Sequence, residues 1–262
     1  MVAFLGGGRI TSALAAGLRL AGDGREIVVY DRHPDKLKAL RRDSRVKTAR
    51  DVKSAVKLAE ILVFAVRPGS MKAILEEVVE PGLSPRLCVS LAAGVPLQNL
   101  RAWLSGVRWV RAMPSPVCRT ACGLTAVCFD RTVGKSDHKR VWELFERVGQ
   151  VVEIPEKQFD AYTATFSSSH GYHALVTLAK AAQRAGLGGE TALLCAAHAL
   201  CDGIQYWRES RLSLNELLHE AATPGGTAAA TMDAMNRAGY ARAVAKGLAA
   251  GIDRARRNAK SR

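Results

Sequence analysis

Apolar residues fall in two rhythms along this chain, and the change from one to the other divides it. Val2 to Leu5 is a short apolar run that stops at Gly6-Gly7-Gly8, the pattern of a strand buried on both faces of a parallel sheet. From Ile10 to Leu20, Ala13, Leu14, Gly17 and Leu18 share one face at helical spacing. Glu26 to Tyr30 reads as a second strand closed by Asp31. A helix carrying Leu37 and Leu40 follows, then a short strand at Val46-Lys47-Thr48. Ile61 to Val66 is fully apolar and ends at Arg67-Pro68-Gly69, because proline cannot continue a strand ladder. A helix around Met71 to Val79, strands at Leu87–Leu91 and Val107–Arg111, and a closing strand from Gln150 to Ile154 complete the series. Strands alternating with helices at these lengths predict a mainly parallel sheet with helices on both faces.

From about Pro155 the strand signal disappears and the chain becomes alanine-rich. Phe159 to Ala185 and Glu190 to Trp207 each read as one long helix. Ser213-Leu214-Asn215-Glu216 has the spacing of a capping box and predicts the start of a short helix. Thr223-Pro224-Gly225-Gly226-Thr227 breaks that helix, and a last one runs from about Ala228 into a basic tail. Two domains are expected, 1–155 of α/β type and 156–262 all helical. Helices this apolar need a partner surface, and a second copy of the chain is the simplest, which predicts a homodimer or a higher homo-oligomer.

Composition narrows the class. Of 262 residues, 48% are hydrophobic and 6% aromatic, and no apolar run approaches the roughly 20 residues that span a bilayer. The N-terminus goes from Met1-Val2-Ala3-Phe4-Leu5 straight into glycines without the basic stretch of a secretory signal, so a cytoplasmic protein is expected. Cys88, Cys118, Cys122, Cys128, Cys195 and Cys201 form no C-x-x-C pair and no zinc-like spacing with histidine. Reduced, mostly packed thiols and no metal are the expectation. The formal charge of +14 favours anionic ligands. It is scattered over helix surfaces or gathered in Arg254, Arg256, Arg257, Lys260 and Arg262, without interleaved stacking aromatics, which argues against nucleic acid.

The candidate chemistry begins at the glycines. Dinucleotide-binding turns place glycines where the chain bends tightly and where a pyrophosphate approaches backbone N–H groups at a helix N-terminus. Here the turn reads Gly6-Gly7-Gly8-Arg9-Ile10-Thr11, with Thr11 in the third glycine position. A strand precedes it, an amphipathic helix follows, and Asp31 closes the next strand about 20 residues on. Together these predict a Rossmann-type dinucleotide-binding domain. Asp31 would accept hydrogen bonds from an adenosine ribose, whereas Arg32 would pair with a 2′-phosphate, so both NADH and NADPH fit, with NADPH favoured. Arg67 and Arg111 sit just after strands, where ligands gather in open α/β sheets.

Several segments together resemble the pyrroline-5-carboxylate reductase family, over nearly the whole chain. They are Gly6-Gly7-Gly8 with Ala13-Leu14, Ala65-Val66-Arg67-Pro68 where the family has A-V-K-P, Ser90-Leu91-Ala92-Ala93-Gly94, and Arg111-Ala112-Met113-Pro114-Ser115 against R-x-M-P-N. Asp160-Ala161-Tyr162-Thr163-Ala164, and Thr223-Pro224-Gly225-Gly226-Thr227 against S-P-G-G-T-T, complete them. The resemblance implies a Rossmann domain followed by an all-α dimerisation domain, each active site being built from one subunit's cofactor domain and the other's helices. It implies NAD(P)H-dependent reduction of a small anionic cyclic imine. The implied cofactor set is Gly6, Gly8, Arg9, Ile10, Asp31, Arg32, Ala65, Val66, Arg67, Pro68, Ala93, Met113 and Pro114. Ser115, Ser168, Thr223, Gly225, Gly226 and Thr227 fall to the substrate, with Pro224 to Thr227 suited to its carboxylate at a helix start.

The substrate half departs from the family. The second threonine of G-G-T-T, which holds the imine nitrogen in the family, is Ala228 here, and the asparagine of M-P-N is Ser115. The S-G-S-G-P-A-Y segment is replaced by Phe166-Ser167-Ser168-Ser169-His170-Gly171-Tyr172. His170 is a candidate proton donor, since imidazole titrates near neutrality, and Thr227 is the remaining catalytic hydroxyl. An altered imine, a hydroxyacid-dehydrogenase-like activity, and a cofactor-binding regulatory protein are the alternatives.

Overall fold

In the computed structural model, residues 1–78 and 87–260 are described, with side chains to 258. They form two compact units, Met1–Phe166 together with the chain from Gly251 onward, and Ser167–Ala250.

The first unit is an eight-stranded sheet. Its strands are β1 (Val2–Leu5), β2 (Ile27–Tyr30), β3 (Lys47–Thr48), β4 (Ile61–Phe64), β5 (Leu87–Ser90), β6 (Arg108–Pro114), β7 (Gly123–Phe129) and β8 (Gly149–Glu153). Their order is β3-β2-β1-β4-β5-β6-β7-β8, parallel throughout except for the β6–β7 pair. The helices are α1 (Arg9–Leu20), α2 (Pro34–Ser44), α3 (Val52–Leu58), α4 (Met71–Val78), α5 (Leu97–Trp103), α6 (Lys135–Glu146) and α7 (Phe159–Thr165). Successive strand side chains point to opposite faces, and the packing follows that rule. Val2 and Phe4 join a core with α1, α2 and α6, whereas Ala3 and Leu5 join one with α3, α4, α5 and Phe159 of α7. Each fully buried Leu or Phe in these layers contributes about 1.5–3 kcal/mol.

The second unit begins with α8 (Ser169–Arg184), α9 (Gly189–Glu209), α10 (Leu214–Ala221) and α11 (Thr227–Arg237). α12 (Tyr240–Lys260) starts there, and its last turns belong to the first unit, where Asn258 donates to the Ala93 carbonyl at 3.3 Å. The capping box is present: Ser213 Oγ accepts the Glu216 N–H, and Glu216 Oε2 accepts the Ser213 N–H. No helix among the described residues is long and apolar enough to cross a membrane.

Several expectations need correction. The helix expected from Phe159 to Ala185 is two, because the chain leaves the helix at Phe166-Ser167-Ser168. The last helix is likewise split into α11 and α12 at Ala238-Gly239. β7 is absent from the expected strands; its Ala126 and Cys128 enter one core and Val127 the other, it runs antiparallel to β6, and β8 pairs with it in parallel. Helices α3, α5 and α6 were also not anticipated, being short or rich in charge. The expected break at 155 marks the loss of the strand pattern and is no error of this kind; in packing, the first compact unit extends to Phe166, and Phe159 is fully buried in its core. Cysteine packing holds for Cys88, Cys118 and Cys128, but Cys122, Cys195 and Cys201 are exposed. Val79, at the end of the helix expected from Met71, and Arg262 of the basic tail lie outside the described residues.

Candidate cofactor and active site

The reversal of strand order occurs between β1 and β4, and crevices at such points, beyond the carboxyl ends of the strands, are where ligands bind in open α/β sheets. Gly6-Gly7-Gly8 leaves β1 there. Gly6 adopts φ +110°, a conformation that L side chains rarely take, and a Cβ on it would run into the Ala65 carbonyl after β4. Around Gly8 the space is open, and α1 starts beyond it with no side-chain cap on its N–H groups. An uncapped helix start beside an open glycine fits an anionic group.

Thr11 replaces the third glycine without loosening the turn. It is fully buried, and its Oγ1 donates to the Gly6 carbonyl at 2.6 Å. The close approach that a third glycine would allow occurs instead at Gly17, where an added Cβ would overlap the Cys118 carbonyl oxygen.

Asp31 closes β2 and faces back into the turn. Oδ2 accepts the Gly7 N–H at 2.8 Å and Oδ1 the His33 N–H at 2.9 Å, while Lys36 Nζ lies 3.3 Å from Oδ2. Burial opposes ionisation of Asp31, but the two N–H groups and Lys36 outweigh it and hold the carboxyl below its ordinary range. Each oxygen of Asp31 thus already accepts one backbone N–H from within the protein, with the exposed Lys36 beside both. Arg32 is exposed beside them. Lys36 escaped the sequence reading, since no local spacing rule links it to Asp31.

The other expected cofactor residues gather at the same edge of the sheet. Ala65 and Val66 follow β4, Arg67 is exposed and precedes a short turn of 3₁₀ helix at Pro68–Ser70, and Ala93 follows β5. Met113 and Pro114 end β6 and are buried, Met113 within the core. Ser115 is 5% exposed, and its Oγ accepts the Val117 N–H at 3.1 Å, starting the next turn.

Arg111 requires a correction. It lies within β6 rather than after it, 3% exposed, with its guanidinium 4.3 Å from the centre of the Phe159 ring. Nη1 donates to Glu156 Oε1 at 3.1 Å, and Leu97 N–H donates to the same oxygen at 2.6 Å. This cation ties β6, α5 and the segment leading into α7 together. Partners 45 residues apart leave no sequence signal.

The remaining expected residues belong to the second unit. His170 stands exposed in the first turn of α8, its N–H donating to the Ser167 carbonyl at 3.0 Å, and Ser168 holds the cap position. Thr223 to Gly226 forms a tight turn closed by the Gly226 N–H on the Thr223 carbonyl at 2.9 Å, with Gly225 at φ +81°. Thr227 opens α11, whose first N–H groups have no side-chain cap, and Ala228 follows it, exposed.

Comparison with known proteins gives two family matches. Residues 1–94 match the model described as NADP oxidoreductase coenzyme F420-dependent, and residues 156–258 match that described as pyrroline-5-carboxylate reductase dimerisation. A pyrroline-5-carboxylate reductase from Synechocystis sp. is 27% identical over 256 residues, covering 95% of each chain. A solved pyrroline-5-carboxylate reductase from Coxiella burnetii is 27% identical with a TM-score of 0.85, covering 98% of this chain and 97% of that one. The fold also matches Plasmodium falciparum pyrroline carboxylate reductase, solved with NADP bound, at a TM-score of 0.88 and 22% identity over 98% and 97% of the two chains.

Proposed function

The chain belongs to the pyrroline-5-carboxylate reductase family, and from that premise we propose that it reduces pyrroline-5-carboxylate to proline with NAD(P)H. The observation that carries the reading is the extent of the likeness, 95% of both chains in one relative, spanning the glycine turn and the helical segment alike. When bound, the reduced nicotinamide supplies the hydride for the C=N carbon, the nitrogen carrying or receiving a proton.

The protein's own part is to bind, orient and protonate. Gly6, Gly8, Arg9 and Ile10 offer the pyrophosphate an open turn and the uncapped start of α1. Arg32 takes a 2′-phosphate, since Asp31 is occupied by Gly7 and His33, which makes NADPH the preferred cofactor. Ala65 to Pro68, Ala93, Met113 and Pro114 line the same edge of the sheet. Within the second unit, Thr223, Gly225, Gly226 and Thr227 hold the substrate carboxylate at the start of α11, helped by Ser168. His170 donates the proton.

The match to a dimerisation model supports a homo-oligomer. Leu193, Leu194, Ile204 and Trp207 of α9 are all at least 42% exposed and form the apolar surface a second copy would cover. The six free thiols suit the reducing cytoplasm.

Ala228 favours a second reading, a related cyclic imine, because a methyl group cannot hydrogen-bond the nitrogen. One experiment tests both: oxidation of NADPH and NADH by the purified protein with pyrroline-5-carboxylate, then with a panel of cyclic imines. Turnover on pyrroline-5-carboxylate is expected; turnover on another imine alone moves the assignment to that substrate. Cofactor binding with no turnover on any would overturn the enzymatic reading.

A further inference from the structure

The loop after β5 is built as a tight turn. Val95 N–H donates to the Ala92 carbonyl at 3.4 Å, and Gly94 sits at φ +77°, the conformation that a type II turn requires of its third residue. Types I and II differ chiefly in the orientation of the central peptide, here Ala93–Gly94, so that plane is the soft coordinate of the turn. From Leu91 to Val95, Ala93 alone is not buried, which makes it the part of the turn that a ligand can meet.

The last turns of α12 fix that plane. Asn258 Nδ2 donates to the Ala93 carbonyl at 3.3 Å, from 165 residues away. A Cβ on Gly94 would overlap the carbonyl oxygen of the buried Ala255, so α12 lies directly on the turn. Because a trans peptide is planar, the carbonyl held by Asn258 also sets the direction of the Gly94 N–H, which points to the opposite side. Contact with Gly94 is made by Ala255 and by the Asn258 Cβ, so close packing does not need the Asn258 amide. What the amide adds is orientation of the peptide. At the far end of the loop, Glu156 Oε1 accepts the Leu97 N–H at 2.6 Å, so both ends are anchored from later in the chain.

The turn stands on the cofactor edge of the sheet. Asp31 and Arg32 follow β2 on one side of the glycine turn, and Ala93 and Gly94 follow β5 on the other. A dinucleotide laid across the point where strand order reverses has its adenosine half on the β2 side and its second nucleotide on the β4 and β5 side.

We propose that Asn258 is a positioning residue for the cofactor. Its amide holds the Ala93–Gly94 peptide in one orientation, and that orientation shapes the edge of the sheet for the nicotinamide half of NADPH. The inference rests on the reductase reading and concerns one half of its cofactor site.

Calorimetric titration of the full chain with NADPH and with 2′,5′-ADP, which carries the adenosine half alone, tests it. Asn258→Ala is expected to weaken NADPH by about fivefold, the worth of one hydrogen bond, and to leave 2′,5′-ADP within about twofold. Asn258→Asp, of the same shape but without a donor, is expected to weaken NADPH at least as much and serves if Asn258→Ala does not fold. Unchanged NADPH binding in the folded variants would overturn the proposal and leave the reductase reading intact. Equal losses for both ligands would mean a general loosening of the domain and would overturn it too. Binding of neither ligand by the unaltered chain would remove the cofactor reading itself, and this inference with it.

Discussion

The carboxylate of Asp31 accepts the backbone N–H of Gly7 at 2.8 Å, so the end of β2 holds the glycine turn in shape from 24 residues away. Both its oxygens already accept N–H groups from inside the protein, and on the proposed reading the exposed Arg32 takes the 2′-phosphate. Arg32→Ala is therefore expected to raise the KM for NADPH by about tenfold or more, the worth of a charge-assisted contact, and to leave that for NADH within about twofold. Parallel steady-state kinetics with the two cofactors checks this; equal losses would remove the 2′-phosphate role.

The same carboxylate links stability to acid. Its folded value lies below the ordinary one, so the stabilisation is fully present above the unfolded value of about 4 and is lost as pH falls through the folded value. Urea midpoints of the unaltered chain and Asp31→Asn should differ most at neutral pH and converge below about pH 4. A constant difference across that window would contradict the linkage.

Gly17 marks the place where α1 approaches the Cys118 carbonyl too closely for a side chain. Gly17→Ala is expected to cost about 1–3 kcal/mol through forced backbone displacement, outweighing the helix propensity that alanine gains. Urea denaturation measures this directly, and a more stable variant would show that the helix can shift.

Arg111 is buried, and among the described residues its partner Glu156 would keep the Leu97 N–H alone without it. Arg111→Met is expected to destabilise the first unit by about 3 kcal/mol, at the low end for a broken buried pair because Glu156 is 35% exposed. Thermal unfolding reports the loss; an unchanged midpoint would show that the aliphatic stem alone suffices.

On the proposed reading of His170 as the proton donor, His170→Ala is expected to lower kcat by about 10²-fold. Unchanged turnover in steady-state kinetics would end that assignment. Thr227→Val is expected mainly to raise the substrate KM.

Leu194 on α9 is 60% exposed in the single chain. Leu194→Arg is expected to give a monomer by light scattering at micromolar concentration, since an unpaired charge in an apolar contact is costly.

The sequence by itself determined the strands as far as β6 with helices α1, α2 and α4 between them, the glycine turn, the capping box at Ser213 and the change to helices near Pro155. Each is written in local spacing, of period 2 or 3.6, or in residues that only particular backbone angles accept. It also carried the family's segments, read on residues such as Met113, Pro114 and Gly225. The tertiary structure decided what depends on distant partners. Asp31 is a turn anchor because Gly7 and Lys36 meet it, and Arg111 is a buried clamp because Glu156 and Phe159 close over it. The split at Phe166 and the antiparallel β7 also follow from packing against the sheet. Hydrogen bonds and ion pairs between residues tens of positions apart leave no periodic trace in a single chain, so only the folded molecule shows which polar groups are free for a ligand and which already hold the protein together.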